Sequence, residues 1–122
     1  MAKKVIRVGI MSREDYRKRT IEIARGERKP KKGEPKIWFE SLQSMAQVLS
    51  KENQQLLSII QEQKPTSLKD LAMVTGRKRS NLSRTLKTMS RYGIVDLVKH
   101  KRNVMPVVKV TDFRVEFGLN TS

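Results

Sequence analysis

Residues 68–93 read LKDLAMVTGRKRSNLSRTLKTMSRYG, and this stretch decides the fold. Its first part, from Leu68 to Gly76, has apolar residues at helical spacing and then a glycine, which is typical of a short helix and its C-terminal cap. Its second part, from Arg79 to Tyr92, has the period of an amphipathic helix. The stretch therefore predicts two helices that are joined by a tight, basic turn.

The second predicted helix separates apolar from polar side chains. At about 100° per residue, Leu82, Leu86 and Met89 form one inward stripe. The opposite face carries hydrogen-bond donors, namely Ser80, Arg84, Lys87 and Arg91, with Ser83 and Thr88 at its border. Arginine can bind a guanine edge through two hydrogen bonds, and lysine, serine and threonine bind phosphates or bases.

We therefore predict a set of DNA contacts in this helix and in the turn before it. For contacts with base edges we expect Ser80, Asn81, Ser83 and Arg84, although Asn81 could instead cap the turn. For contacts with the phosphate backbone we expect Arg77, Lys78, Arg79, Lys87 and Arg91, with Thr88 beside them. The alternative interpretation is a basic helix face that is simply solvated.

A predicted β-hairpin follows the second helix. Residues 94–98 and 104–110 are apolar enough for two strands, and residues 99–103 form the basic turn between them. Pro106 favours an edge strand or a bulge, because proline cannot donate to a sheet. At the tip we expect Arg102 to enter the minor groove and Lys101 to bind phosphate, whereas the alternative is an ordinary polar turn.

The distribution of charge favours a polyanionic partner. The 122 residues carry a formal net charge of +15. Residues 1–36 hold thirteen bases and five acids, and residues 77–102 hold nine bases and one acid, whereas residues 37–76 are almost neutral. Two basic blocks around a neutral segment are expected of a packed core with charged contact surfaces.

Other classes of protein are disfavoured. The sequence has no cysteine and no apolar run of the roughly 20 residues that cross a bilayer. Its start lacks the pattern of a secretion signal, so a cytoplasmic protein is expected. No catalytic group of residues, phosphate-binding glycine loop or zinc spacing is found, and His100 is the only histidine. We therefore expect no enzyme activity, no metal and no cofactor.

The rest of the chain suggests how the protein is divided. Residues 1–28 predict a strand and a basic helix that form an N-terminal arm, and residues 29–36 predict a mobile basic linker. Residues 37–122 predict the main domain, in which Phe113 to Leu119 alternate as a final strand. The predicted core is Leu49, Leu56, Leu57, Ile60, Leu68, Leu71, Leu82, Leu86, Ile94 and Leu97. The expected fold is α+β, a winged helix-turn-helix with additional N- and C-terminal β elements.

A family resemblance agrees with this expectation. The spacing of Ala72, Gly76 and Leu82 resembles that of a helix-turn-helix, and residues 76–87 resemble the recognition helix of MarR-like winged-helix regulators. Residues 92–95 resemble the transition from that helix to the wing. Residues 38–42 and 113–117 are similar to a family of bacterial and archaeal regulators. Lys78 departs from the pattern because a capping serine is usual at this place, so the helix is expected to begin irregularly.

The resemblance implies a transcriptional regulator that binds double-stranded DNA, a repressor near its own promoter, and in some relatives an antitoxin. It also implies a homodimer. The strands at 6–10 and 113–119 are the candidates for pairing, within one sheet or between chains. As an antitoxin, the protein would dock a small toxin on residues 1–36. A basic winged helix that binds RNA or the ribosome is the alternative function.

Overall fold

The computed structural model describes residues 3–119. Residues 1 and 2 of the predicted N-terminal arm and residues 120–122 of the predicted main domain lie outside the described residues. The described residues form a mixed α+β fold with five helices and two small sheets. The elements are β1 (Val5–Ile10), α1 (Arg13–Ala24), β2 (Ile37–Phe39), α2 (Leu42–Val48), α3 (Lys51–Gln63), α4 (Leu68–Thr75), α5 (Arg79–Tyr92), β3 (Val95–His100), β4 (Asn103–Val108) and β5 (Asp112–Glu116).

The larger sheet joins the two ends of the chain. Its order is β2-β1-β5, and β1 is parallel to both neighbours. Val8 lies opposite Ile37 on one side and opposite Val115 on the other. The strand from the predicted N-terminal arm is therefore the central strand of this sheet, and the strands at 6–10 and 113–119 pair within one chain.

The last strand is shorter than predicted. Alternation of apolar and polar residues predicts a strand from Phe113 to Leu119, but β5 ends at Glu116. Glu116 lies opposite Gly9, and β1 itself ends one residue later at Ile10. In this register Phe117 comes opposite Ile10, the last residue of β1, and residues 118 and 119 have no neighbouring strand in the described chain. Alternation alone therefore does not make a strand.

The segment 29–36, predicted as a mobile linker, contains no helix or strand but is attached to β1. The Lys36 amide donates a hydrogen bond to the Arg7 carbonyl at 3.1 Å, and the Arg7 guanidinium donates to the Gly33 carbonyl at 2.8 Å. Glu34 accepts a hydrogen bond from Arg19 of α1 in an ion pair that is mostly shielded from solvent. This hydrogen bond lowers the pKa of the Glu34 carboxyl.

Serine residues begin four of the five helices. Each serine hydroxyl accepts a hydrogen bond from the backbone N–H three residues later, which satisfies an amide that has no partner inside the helix. The caps are Ser12 for α1, Ser41 for α2, Ser50 for α3 and Ser67 for α4. Each of these serines stands directly before the first residue of its helix.

The core lies between the helices and the two sheets. Of the ten predicted core residues, seven are buried, and Leu49, Leu68 and Leu97 are half-buried at its edge. The sequence prediction missed the apolar residues of the strands and of the loop before β5, namely Val8, Ile37, Phe39, Val95 and Val110. Helix α1 buries none of its residues, and the Arg19 guanidinium lies 5.3 Å from the centre of the Trp38 ring. This helix therefore contributes little to the core.

Gly9 of the central strand leaves no room for a side chain, and we predict that Gly9→Ala destabilises the fold. A β-carbon at Gly9 would lie 2.7 Å from Trp38 Cε3 and 3.0 Å from Pro35 Cγ. We expect a loss of about 2 kcal/mol in the free energy of unfolding, measured by urea denaturation. The loss should be much smaller in a Trp38→Leu background, where the smaller side chain leaves room. Equal losses in both backgrounds would contradict this explanation.

Candidate nucleic-acid interface

Helices α4 and α5 meet at a sharp turn that is built around one glycine. The Gly76 amide donates to the Ala72 carbonyl at 2.9 Å, and Gly76 adopts a φ of 74°, which costs other residues free energy. Leu71 of α4 and Leu82 of α5 are both completely buried. The turn and these two leucines fix the direction in which α5 leaves α4.

Helix α5 begins without a side-chain cap, as Lys78 predicts, and is held along one face and at its end. Lys78 is the N-cap residue, and its side chain makes no capping hydrogen bond. Leu86 and Met89 join Leu82 in the core, so the predicted inward stripe is buried. At the C-terminal end, the Tyr92 ring stacks on Phe39 of β2 with the ring centres 4.4 Å apart. The helix is therefore packed along one face and at its C-terminal end, and its opposite face is exposed to solvent.

The outward face of α5 carries most of the predicted DNA contacts. Arg79, Ser80, Asn81, Arg84, Lys87 and Arg91 are exposed, and Lys78 is exposed in the turn. Within residues 3–119, no protein hydrogen bond or ion pair engages the side chains of Ser80, Asn81, Arg84 or Lys87. Ser83 is half-buried at the border. These donors are free to bind a ligand.

Three of the predicted contact residues, Arg77, Thr88 and Arg91, form side-chain hydrogen bonds within the protein. Arg77 is half-buried, and its guanidinium donates to Asn53 Oδ1 of α3 at 3.1 Å. The Thr88 hydroxyl donates to the Arg84 carbonyl at 3.0 Å and accepts from Arg91 at 3.2 Å. Arg77 and Thr88 therefore have structural partners, and Thr88 holds the Arg91 guanidinium along the helix.

Asn53 was not identified from the sequence, although it organises this region. Besides accepting from Arg77, its amide donates to the Val48 carbonyl at 3.0 Å and thereby caps the end of α2. The start of α3 and the start of α5 enclose an open concavity of about 560 Å³, lined by Glu52, Asn53, Arg77, Lys78, Asn81 and Thr85. Nothing in the sequence around Asn53 indicates that it would cap α2 and accept a hydrogen bond from Arg77.

Strands β3 and β4 form the predicted basic hairpin. They are antiparallel, with His100 opposite Asn103, so that Lys101 and Arg102 form the two-residue tip. Both tip residues are exposed, and Lys101 has a φ of 56°. Pro106 lies opposite Leu97 in this two-stranded sheet, where each strand is an edge, and this confirms the edge-strand prediction for Pro106. The hairpin follows directly from the end of α5.

Charge on this surface is not neutralised by the protein. None of the nine bases between residues 77 and 102 forms an ion pair with a described acid. The single acid of the block, Asp96, lies 3.6 Å from Lys109, which is outside the block. Other basic residues do find acids, as Arg13 does with Glu40 at 3.2 Å. The uncompensated charge is thus concentrated on α5, the turn before it and the hairpin tip.

The described helices include none that is long and apolar enough to cross a membrane.

One protein family, named HVO_A0114, has a model that matches residues 48–115, more than half of the chain. The matched segment runs from the end of α2 to β5 and includes all the residues of the candidate interface. Comparison with curated proteins and with solved structures finds no match.

Proposed function

We propose that this chain, which belongs to the HVO_A0114 family, is a winged helix-turn-helix regulator that binds double-stranded DNA in a sequence-specific manner. The observation that carries the proposal is the exposed donor face of α5 beside a basic hairpin tip, neither of them neutralised by an acid of residues 3–119. Such a surface attracts the phosphates of DNA and releases their counterions. Its MarR-like pattern favours transcriptional repression by occupation of a promoter.

Helix α5 is the recognition helix in this proposal. With 14 residues it is about 21 Å long, and a major groove about 12 Å wide admits an α-helix. Ser80, Asn81 and Arg84 lie on its exposed side and read base edges. Lys87 and Arg91, nearer the C-terminal end, bind the flanking phosphates.

The β3–β4 hairpin is the wing. Lys101 and Arg102 are exposed at its tip. In this proposal Arg102 enters the neighbouring minor groove, where negative potential is strongest, and Lys101 binds a phosphate. Arg77 contributes indirectly, because its hydrogen bond to Asn53 joins the turn to α3. Thr88 acts by orienting Arg91.

Two alanine variants on the same face test this assignment. We expect Arg84→Ala to weaken binding to a duplex selected from a random library by about 1–3 kcal/mol and to relax the preference at one base pair. We expect Lys87→Ala to weaken all duplexes by a similar factor and to reduce the slope of log K against log salt by about 0.9. Fluorescence anisotropy over a salt series measures both effects.

Both side chains are exposed and lack partners among the described residues, so neither substitution should change the melting temperature. If both variants bound the selected duplex as tightly as the wild type, α5 would not be the recognition helix.

RNA binding is the rival function, and the distribution of aromatic residues argues against it. Recognition of single-stranded RNA uses aromatic side chains on which bases stack. Residues 77–91 and the hairpin tip contain no aromatic residue, and the nearby Tyr92 stacks on Phe39. We expect labelled duplex DNA to be displaced by unlabelled duplex far more readily than by structured RNA at equal salt, whereas equal displacement would favour the rival.

A toxin that docks on residues 1–36 is not part of the proposal. The strand of that segment, β1, already pairs with β2 and β5 of the same chain, and segment 29–36 is bonded to β1 and α1. Both edges of β1 are therefore already hydrogen-bonded to strands of the same chain.

A further inference from the structure

Strand β5 has one paired edge and one free edge. The Asp112 amide donates to the Lys4 carbonyl at 3.0 Å, so its backbone points towards β1. Because backbone groups alternate along a strand, those of Phe113 and Val115 point away from β1. No strand among the described residues covers that outer edge. An edge of this kind is a template for another strand.

The side chains along this edge are exposed and partly unsatisfied. Arg114 and Glu116 are exposed and form no ion pair within residues 3–119. Arg114 lies opposite Arg7 in the sheet, so its nearest charged neighbour there has the same sign. Phe117 is 57% exposed, so a large apolar surface stands at the end of this strand.

The sequence around Val115 is self-complementary in an antiparallel pairing. Residues 113–117 read Phe-Arg-Val-Glu-Phe. When two copies align antiparallel about Val115, each Arg114 faces Glu116 of the second copy and each Phe113 faces Phe117. Val115 then pairs with itself at a position where both backbones point towards each other, as the ladder requires.

We propose that a second copy of this chain pairs through β5, antiparallel and centred on Val115, to form a continuous six-stranded sheet across a two-fold axis. The two ion pairs and the two phenylalanine pairs follow from that single register. The inference does not rest on DNA binding, because β5 carries none of the residues of α5 or of the hairpin tip. A two-fold symmetric dimer is the commonest closed assembly.

Neighbouring registers are less favourable. Centring on Arg114 would place the two arginines together and would oppose Asp112 to Glu116. Centring on Glu116 would place two glutamates together. Centring on Phe113 would pair Asp112 with Arg114, but Asp112 lies 3.8 Å from Lys3 and accepts from Thr111 in its own chain. That register would also leave Phe117 outside the paired region.

A groove beside β5 is compatible with the proposed register. The groove, of about 510 Å³, has a mixed lining, in which Met45, Leu49, Leu57, Phe113 and Val115 are apolar and Gln54, Ser58 and Gln61 are polar. Because Phe117 of the second copy lies opposite Phe113, it comes to the mouth of this groove. Burial there would remove from water the most exposed aromatic residue of this edge.

Charge reversal tests the register directly. We expect the wild type to be a dimer at tens of micromolar in sedimentation equilibrium, and Arg114→Glu or Glu116→Arg alone to raise the dissociation constant roughly 10- to 100-fold, because each creates two like-charge pairs. An equimolar mixture of these two variants should form a heterodimer about as tightly as the wild type, since every Arg–Glu pair is restored. The double variant Arg114→Glu/Glu116→Arg should likewise restore the homodimer.

The mixture also excludes misfolding as the cause, because a misfolded variant would not be rescued by its partner. A wild-type monomer at 100 μM would overturn the proposal, as would single variants that dimerise normally. Loss of dimer without rescue in the mixture would overturn the Val115 register.

Discussion

Reversing the charge of Arg84 and Lys87 together, as Arg84→Glu and Lys87→Glu, is expected to abolish specific DNA binding. The two substitutions change the charge of the α5 face by four units. A unit charge about 4 Å from a phosphate interacts by about 1 kcal/mol in water, so the change costs about 4 kcal/mol, or roughly a thousandfold in affinity. The loss is expected at low salt and should shrink as salt screens the phosphates.

The matched control is Lys29→Glu with Lys32→Glu. This variant carries the same net charge, and both side chains are exposed in the segment before β2. If binding depends on the α5 face, the control should lose about tenfold or less at the same salt. Anisotropy titrations with the selected duplex and with an unrelated duplex measure both variants. Equal losses would mean that total charge, and not α5, determines binding.

The helices could be predicted because their signals are local. Ser50 and Ser67 stand directly before their helices, and Gly76 and Gly93 stand directly after theirs. Leu82 and Leu86 repeat at the helical period. The face of α5 and the hairpin tip follow from the same local pattern, which is why the residues of the candidate interface are recognisable in the amino-acid sequence.

The larger sheet could be predicted only in part. The sequence indicates that the strands at 6–10 and 113–119 pair within one sheet or between chains, but their parallel direction, their register and the third strand, β2, depend on partners that are distant in the chain. Alternation indicates that 6–10 is a strand, but the Lys4 amide and the Thr111 hydroxyl that join its start to β5 are 107 residues apart. Short apolar runs such as 37–39 do not reveal a partner or a direction. For the same reason Val8 and Phe39, both fully buried, were absent from the predicted core.

The features of the candidate interface that the sequence did not predict also depend on tertiary contacts. The hydrogen bond from Arg77 to Asn53 spans 24 residues. Arg77, which the sequence suggests as a phosphate contact, therefore joins the turn before α5 to α3. Thr88 differs because its partner lies within the same helix. Threonine often bonds to the preceding turn of its own helix, so this competing role is foreseeable from residue type.

Deletion of residues 1–36 is expected to unfold the protein or leave it without a cooperative transition. The deletion removes β1, the strand between β2 and β5, and so leaves both neighbours unpaired. Val8 is lost from the core, and Ile37 and Phe39, now 3% and 0% exposed, lose their cover. At roughly 2 kcal/mol for each buried apolar side chain, the sum approaches the total stability of a small domain, about 5–15 kcal/mol.

Point variants within β1 separate loss of the central strand from a general effect of truncation. Val8→Ala removes a side chain that is 0% exposed and should cost about 2–3 kcal/mol, whereas Val5→Ala, on the same strand but 45% exposed, should cost less than about 1 kcal/mol. Calorimetry and urea denaturation measure the series. A truncated chain that unfolds cooperatively near the wild-type temperature and still binds duplex DNA would show that residues 37–122 fold alone. Removal of a central strand would expose the buried residues on both of its neighbours. That outcome would therefore mean that β1 is not needed for the fold of the other residues.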